Sequence, residues 1–292
     1  MPNINRAARP ARVAILLLAG TLALLAGFTA PANANPGAGA GGVLVGFGDS
    51  VAAGYRAEDA LSQSPYANEC QRTDAAYPTQ VGAELALTTF NLACSGATAR
   101  AGLNGPQTVG ESTVPAQLDQ ARNLPHISLA TITILANDVQ WSYWVRQCIE
   151  PTVNCATAAN TAAFRLLLVK AGGGLAKSLR SIVFDLRVDR TALTGYYDPM
   201  GSFAGTVFGL APDEIVWYRA RLADLNNTLR TAARIFPRVT YVPVSLDAAA
   251  GDVIVPSAAN PRPEGIFHPT SQGQTKIADA VLTLCRRHSC TG

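Results

Sequence analysis

The sequence predicts an α/β fold: one domain in three layers, with helices covering both faces of a central parallel sheet of about five strands. Three observations predict it. Short β-branched or apolar runs alternate with longer stretches of helical period, the pattern that a parallel sheet with crossover helices requires. The chain has 292 residues, 48% hydrophobic and 15% charged, enough to bury one large core. No internal repeat, charge run or interdomain linker divides it beyond residue 42.

The first residues read differently from the rest. Arg6, Arg9 and Arg12 precede an apolar stretch from Val13 to Phe28, and Ala32-Asn33-Ala34 sets small residues at cleavage spacing. This is the pattern of a secretory signal peptide over residues 1–34, followed by a Pro, Gly and Ala-rich flexible linker at 35–42 and the domain proper at 43–292. The stretch is short for a spanning helix, and no later segment is long and apolar enough to span, so no stable membrane span is expected after signal removal. An uncleaved anchor is the competing reading. The expected product is secreted and monomeric. The three leader arginines account for the whole formal charge of +3. A neutral remainder has no basic excess for phosphate backbones, which argues against nucleic acid as a partner.

The expected strands are Val43 to Phe47, Phe90 to Ala93, Ala130 to Leu135, Thr191 to Gly195 and Val239 to Val244. Helical periodicity marks Ala76 to Ala86, Ala158 to Val169, Leu175 to Leu186, Glu214 to Phe236 and Ser271 to Arg287. Trp141 to Ala156 and Tyr196 to Asp213 read as aromatic, Gly and Pro-rich loops after strands, where an open α/β sheet holds its ligand crevice.

Six cysteines in an exported chain favour three disulfides, with fifteen pairings open in principle. Proximity favours Cys148 with Cys155 and Cys285 with Cys290, which leaves Cys70 with Cys94. There is no Cys-x-x-Cys, and no histidine lies at ligand spacing to a cysteine pair, so no metal is expected. Gly37 to Gly42 matches a dinucleotide fingerprint formally, but it precedes the first strand instead of following it; no cofactor is expected. Walker, His-Glu-x-x-His and Gly-x-Ser-x-Gly motifs are absent.

The informative stretch is Val43 to Tyr55, a buried-type strand that ends in Gly-Asp-Ser50 and runs into small helix-compatible residues. A serine at such a turn is presented to solvent beside the free N–H groups of a helix start, which favour a developing oxyanion. The plain alternative is that Asp49 or Ser50 only caps the helix. A serine hydroxyl is a weak nucleophile at neutral pH and needs a base within hydrogen-bond reach. Of the three histidines, His268 fits best; His126 and His288 read as surface residues.

Phe47-Gly-Asp-Ser-Val-Ala-Ala-Gly-Tyr55 resembles the first block of the SGNH (GDSL-type) hydrolase family. Asn91-Leu-Ala-Cys-Ser-Gly96-Ala-Thr98 is similar to its second block, Leu135-Ala-Asn137-Asp138 to its third, and Phe267-His268-Pro269-Thr270 to its fifth. The resemblance implies a flavodoxin-like sandwich and a serine hydrolase of the esterase or lipase type, acting on a small-molecule or lipid ester. It implies Ser50 as nucleophile, His268 as base, and an oxyanion hole built from the N–H groups of Ser50 and Gly96 and the Asn137 side-chain amide.

Two positions depart from the family pattern. Gly265 stands where an aspartate usually precedes the histidine by three residues, so the carbonyl of Gly265 or Ile266 is expected to orient the imidazole, with Glu264, Asp247 and Asp252 as alternative carboxylates. Ala136 stands where a glycine is common, and would strain the site if its φ were positive. Trp141, Tyr143, Trp144, Tyr196 and Tyr197 either wall an acyl or sugar pocket or pack among themselves. Two other functions remain open: a carbohydrate or cell-wall O-acetylesterase, and a catalytically weakened binding protein of the same fold.

Overall fold

The computed structural model describes residues 42–288 and 290. The expected signal peptide, and all of the expected linker except Gly42, lie outside these residues.

The described strands are β1 (Val43–Gly48), β2 (Thr88–Asn91), β3 (Gln107–Val109), β4 (Ser112–Val114), β5 (Ile127–Thr133), β6 (Arg190–Thr194) and β7 (Val239–Val242). The described helices are α1 (Ser50–Ala53), α2 (Ala67–Cys70), α3 (Tyr77–Glu84), α4 (Gln117–Ala121), α5 (Trp141–Ile149), α6 (Ala158–Arg180), α7 (Phe203–Thr206), α8 (Pro212–Ile235) and α9 (Ser271–His288). Five strands form a parallel sheet in the order β2-β1-β5-β6-β7, while β3 and β4 make a separate antiparallel ribbon. This is the flavodoxin-like order, and the expected three-layer α/β fold is the one found.

Sequence explains the central position of β1 and β5. Every residue of both strands is buried, the hydroxyl residues Ser128, Thr131 and Thr133 of β5 included, as in a sheet covered by helices on both faces. Helix α3 packs on α9 and α6 on α8. The Leu222, Leu225 and Leu229 stripe of α8 faces inward. The chain order reverses between β1 and β5, so their C-terminal ends flank the crevice where this fold binds ligands.

Three expectations need correction. The two helices expected over Ala158 to Val169 and Leu175 to Leu186 are one helix, α6, followed by a π-turn at Ser181–Asp185. Gly172, Gly173 and Gly174 lie between the two expected segments and cost about 1 kcal/mol each relative to alanine. The buried stripe of Phe164, Leu168, Ala171, Leu175 and Leu179 runs through them and offsets that cost. Second, Trp141 to Ile149 is helix, not loop: Trp144, Val145 and Cys148 bury one face, and Trp144 donates its indole N–H to the Val139 carbonyl at 2.7 Å. Third, β2 and β5 begin two and three residues earlier than expected, because main-chain pairing with β1 sets their limits, not the apolar run alone.

The disulfides are Cys70–Cys94, Cys148–Cys155 and Cys285–Cys290. The first joins the end of α2 to the segment after β2. There the buried Arg72 guanidinium also donates to the carbonyls of Ala93, at 2.6 Å, and Leu92, at 3.0 Å. Among the described residues no helix is long and apolar enough to cross a membrane.

Candidate active site

The site begins where β1 ends. A Cβ on Gly48 would lie 2.1 Å from the Thr133 carbonyl oxygen, so only glycine allows β1 and β5 to meet this closely. The fully buried Gln117 amide brackets the same residue, accepting from its N–H and donating to its carbonyl, both at 2.8 Å. The Asp49 N–H donates to Thr133 at 2.9 Å. Asp49 then caps α1, its Oδ1 accepting from the Val51 N–H at 3.0 Å. Of the two possible caps, Asp49 fills that role and the Ser50 hydroxyl is directed elsewhere: Ser50 Oγ lies 2.8 Å from His268 Nε2, across 218 residues of sequence. As the first helical residue, Ser50 has an N–H with no intrahelical acceptor.

His268 precedes α9 in a segment tied down on several sides. Its carbonyl accepts from Ile254 N–H at 2.9 Å, and the neighbouring Phe267 carbonyl accepts from the Tyr197 hydroxyl at 2.9 Å. Tyr55 meets the imidazole edge-on, with centroids 4.9 Å apart. Buried Gln274 of α9 links the region to the serine turn, donating to the Val51 carbonyl and accepting from Tyr77 N–H, both at 2.9 Å.

The imidazole Nδ1 faces the carbonyl oxygens of Gly265 at 3.1 Å and Ile266 at 3.3 Å. Carbonyls only accept, so Nδ1 carries the proton and Nε2 offers its lone pair to the Ser50 hydroxyl. Burial holds His268 below its ordinary value of 6.5, opposed by these two bonds. The three alternative carboxylates are engaged elsewhere. Glu264 pairs with Arg56, Asp252 takes Lys276 Nζ at 2.6 Å, and Asp247 accepts from Ala249 N–H at 2.9 Å.

Gly96 and Asn137 line the same cavity as Ser50 and His268, a space of about 260 Å³. Asn137 donates one amide hydrogen to the Ala97 carbonyl at 2.9 Å, which fixes the amide plane and leaves its second hydrogen for the cavity. The adjacent Asp138 accepts from Ala99 N–H with both oxygens, at 3.1 and 3.0 Å, and burial pushes it up to about 6. These bonds tie the Gly96 and Asn137 turns together. Ala136 is not among the positive-φ residues; Leu135, one position earlier, takes φ 109°. The alanine therefore brings no left-handed strain.

The cavity wall is mainly apolar, formed by Trp141, Val145, Tyr197, Pro199, Ile266 and Phe267. Trp141 serves two purposes, since it also packs on Tyr218, with centroids 5.2 Å apart. Trp144 is buried core and Tyr143 is 44% exposed. His126 stays on the surface, 2.7 Å from Asp189, while the His288 side chain lies outside the described residues. Sequence alone marks Asp49 only as a possible helix cap and Tyr196 only as a possible wall residue, and it assigns Gln117 and Tyr55 no part in the site. In the fold the Tyr196 hydroxyl donates to Asp49. Asp49 was visible as the residue before Ser50, but nothing local announces a tyrosine 147 positions away.

Comparison with known proteins fits this geometry. The model of the GDSL-like lipase/acylhydrolase family matches residues 47–276. An extracellular lipase from Streptomyces rimosus is similar in structure, with a TM-score of 0.62 and 22% identity, covering 82% of this chain and 98% of the lipase. Phospholipase A1 from Streptomyces albidoflavus NA297 gives 0.60 and 20%, covering 83% and 99%. At such identities the likeness is one of fold. No curated protein matches the sequence. With a match that takes in the serine turn, the Gly96 and Asn137 turns and the histidine, the chain belongs to the GDSL-like lipase/acylhydrolase family.

Proposed function

We propose that this acyl ester hydrolase is an exported serine esterase of the lipase type, working through a Ser50–His268 dyad. In the proposed cycle Ser50 Oγ attacks the ester carbonyl carbon while its proton passes to His268 Nε2. The tetrahedral oxyanion is held by the N–H groups of Ser50 and Gly96 and by the free amide hydrogen of Asn137, each donor worth about 3 kcal/mol in comparable sites. The C–O bond to the alcohol then breaks, and His268 returns the proton to the leaving oxygen. Water repeats the sequence on the acyl-enzyme and releases the acid.

The observation that carries this reading is the 2.8 Å approach of Ser50 Oγ to an imidazole nitrogen whose tautomer is set by two carbonyls. A lowered His268 is neutral at pH 7 and ready to act as base. Neutral carbonyls stabilise the imidazolium less than a carboxylate does, so a modest turnover is expected. Export is supported by the leader pattern of residues 1–34 and by three disulfides.

A second reading, carbohydrate O-acetylesterase, is favoured only by the Trp141 and Tyr197 faces on the cavity. The test is hydrolysis of nitrophenyl acyl esters by the wild type and by His268→Ala. A loss of about a thousandfold or more in kcat/KM supports the dyad, and an unchanged rate removes it.

A further inference from the structure

One phenolic oxygen joins two parts of the site. Tyr196 follows β6, and its main chain is fixed by Asn226 of α8, which accepts from the Tyr196 N–H and donates to its carbonyl, both at 2.8 Å. The Tyr196 hydroxyl donates to Asp49 Oδ2 and accepts from the Ala136 N–H at 3.1 Å. Asp49 immediately precedes Ser50 and caps its turn; Ala136 immediately precedes Asn137. The ends of β1, β5 and β6 therefore meet at one atom, inside the fold: Tyr196 is 8% exposed and Asp49 1%.

From this geometry we infer that Tyr196 is a positioning residue, whose hydroxyl sets the distance between the Ser50 turn and the Asn137 turn and so holds the oxyanion donors in register. The inference rests on the proposed roles of Ser50 and Asn137. With Asp49 ionised, the direction of the bonds is forced. An N–H can only donate, so the phenol oxygen accepts from Ala136, and its single proton is left for Asp49. Without the hydroxyl, the Ala136 N–H and one oxygen of a buried carboxylate both lose this partner. The two turns then lose the bond that spans them directly, and a displacement of about 1 Å at reacting groups costs on the order of a hundredfold in rate.

Tyr196→Phe keeps the ring on the cavity wall and removes only the link. With active enzyme counted by fluorophosphonate titration, kcat is expected to fall at least about tenfold while KM stays within about twofold. Combined with Asn137→Ala, the loss should be smaller than the product of the single losses, because both act through the same donor. Should Tyr196→Phe fail to fold, Asp49→Ser is read in the same way. Serine keeps a capping oxygen for α1 but is too short to accept from the phenol, and the same fall in kcat and the same shortfall with Asn137→Ala are expected. A kcat loss under about fivefold, a KM rise that accounts for the loss, or full multiplication with Asn137→Ala overturns the inference. Undiminished turnover in Ser50→Ala would instead overturn the dyad itself.

Discussion

His268 Nδ1 sits 3.1 Å from the carbonyl oxygen of Gly265, the residue that stands where the family pattern places an aspartate. The glycine cannot simply be exchanged for that acid. Its φ is +75°, and a Cβ there would lie 2.7 Å from the Arg56 Cβ. Left-handed backbone alone costs a non-glycine residue about 1–2 kcal/mol, and the clash would push the carbonyl off the imidazole. Gly265→Asp is therefore expected to lower the melting temperature and to cut kcat/KM at least about tenfold. A gain in activity would mean that the loop can rebuild a triad.

The four short blocks that named the family carried Ser50, Gly96, Asn137 and His268, because each is a local requirement of chemistry or backbone. The network around them is not local. Tyr196, Gln117 and Gln274 each bridge segments 69 to 223 residues apart, and only the strand order brings those segments together. The same limit explains the misread helices. Three consecutive glycines in α6 and an aromatic cluster in α5 look like loop in isolation, while the packed stripes on Leu168 and Trp144 make both helical.

The Cys70–Cys94 disulfide should serve activity as well as stability. Ser95 N–H donates to the Cys70 carbonyl, and Cys94 N–H to the Gly48 carbonyl, both at 3.0 Å, so the cross-link sits between the Gly96 turn and the end of β1. Replacing both cysteines by alanine should cost about 3–4 kcal/mol in urea unfolding and lower kcat severalfold in protein that is still folded. Full kcat in the folded variant would leave the bond a stabilising staple only.

Asp49 makes stability depend on pH. Burial pushes its carboxyl from 3.8 up to about 7 in the folded chain, so between those values the folded state binds more protons than the unfolded state. Its contribution is complete below 3.8 and is lost as pH rises through 7. His268, lowered by burial, works in the opposite sense: its contribution is present above 6.5 and lost as pH falls through the folded value. Asp49→Asn removes only the first effect. Relative to wild type, the variant should gain up to about 4 kcal/mol between pH 3 and pH 8 in urea unfolding. A difference independent of pH would show that Asp49 does not titrate in this range.

The apolar cavity wall predicts acyl-chain selectivity. Each added methylene that is buried contributes about 0.8 kcal/mol, so kcat/KM should climb up to about fourfold per carbon from acetyl esters upward. Val145 is buried and lines the cavity from α5. Val145→Phe should flatten the climb for longer chains while sparing acetyl esters. A wild-type series that peaks at acetyl, with acetylated sugars preferred, would favour the carbohydrate esterase reading.

The most direct measurement is covalent. A fluorophosphonate phosphonylates a serine only where a neighbouring base and oxyanion donors activate it, with fluoride as the leaving group. Wild-type protein should take up one equivalent, mapped by peptide mass to Ser50, and labelling should vanish in Ser50→Ala and fall sharply in His268→Ala. Folded wild type that remains unlabelled, or label found on another residue, would contradict the account.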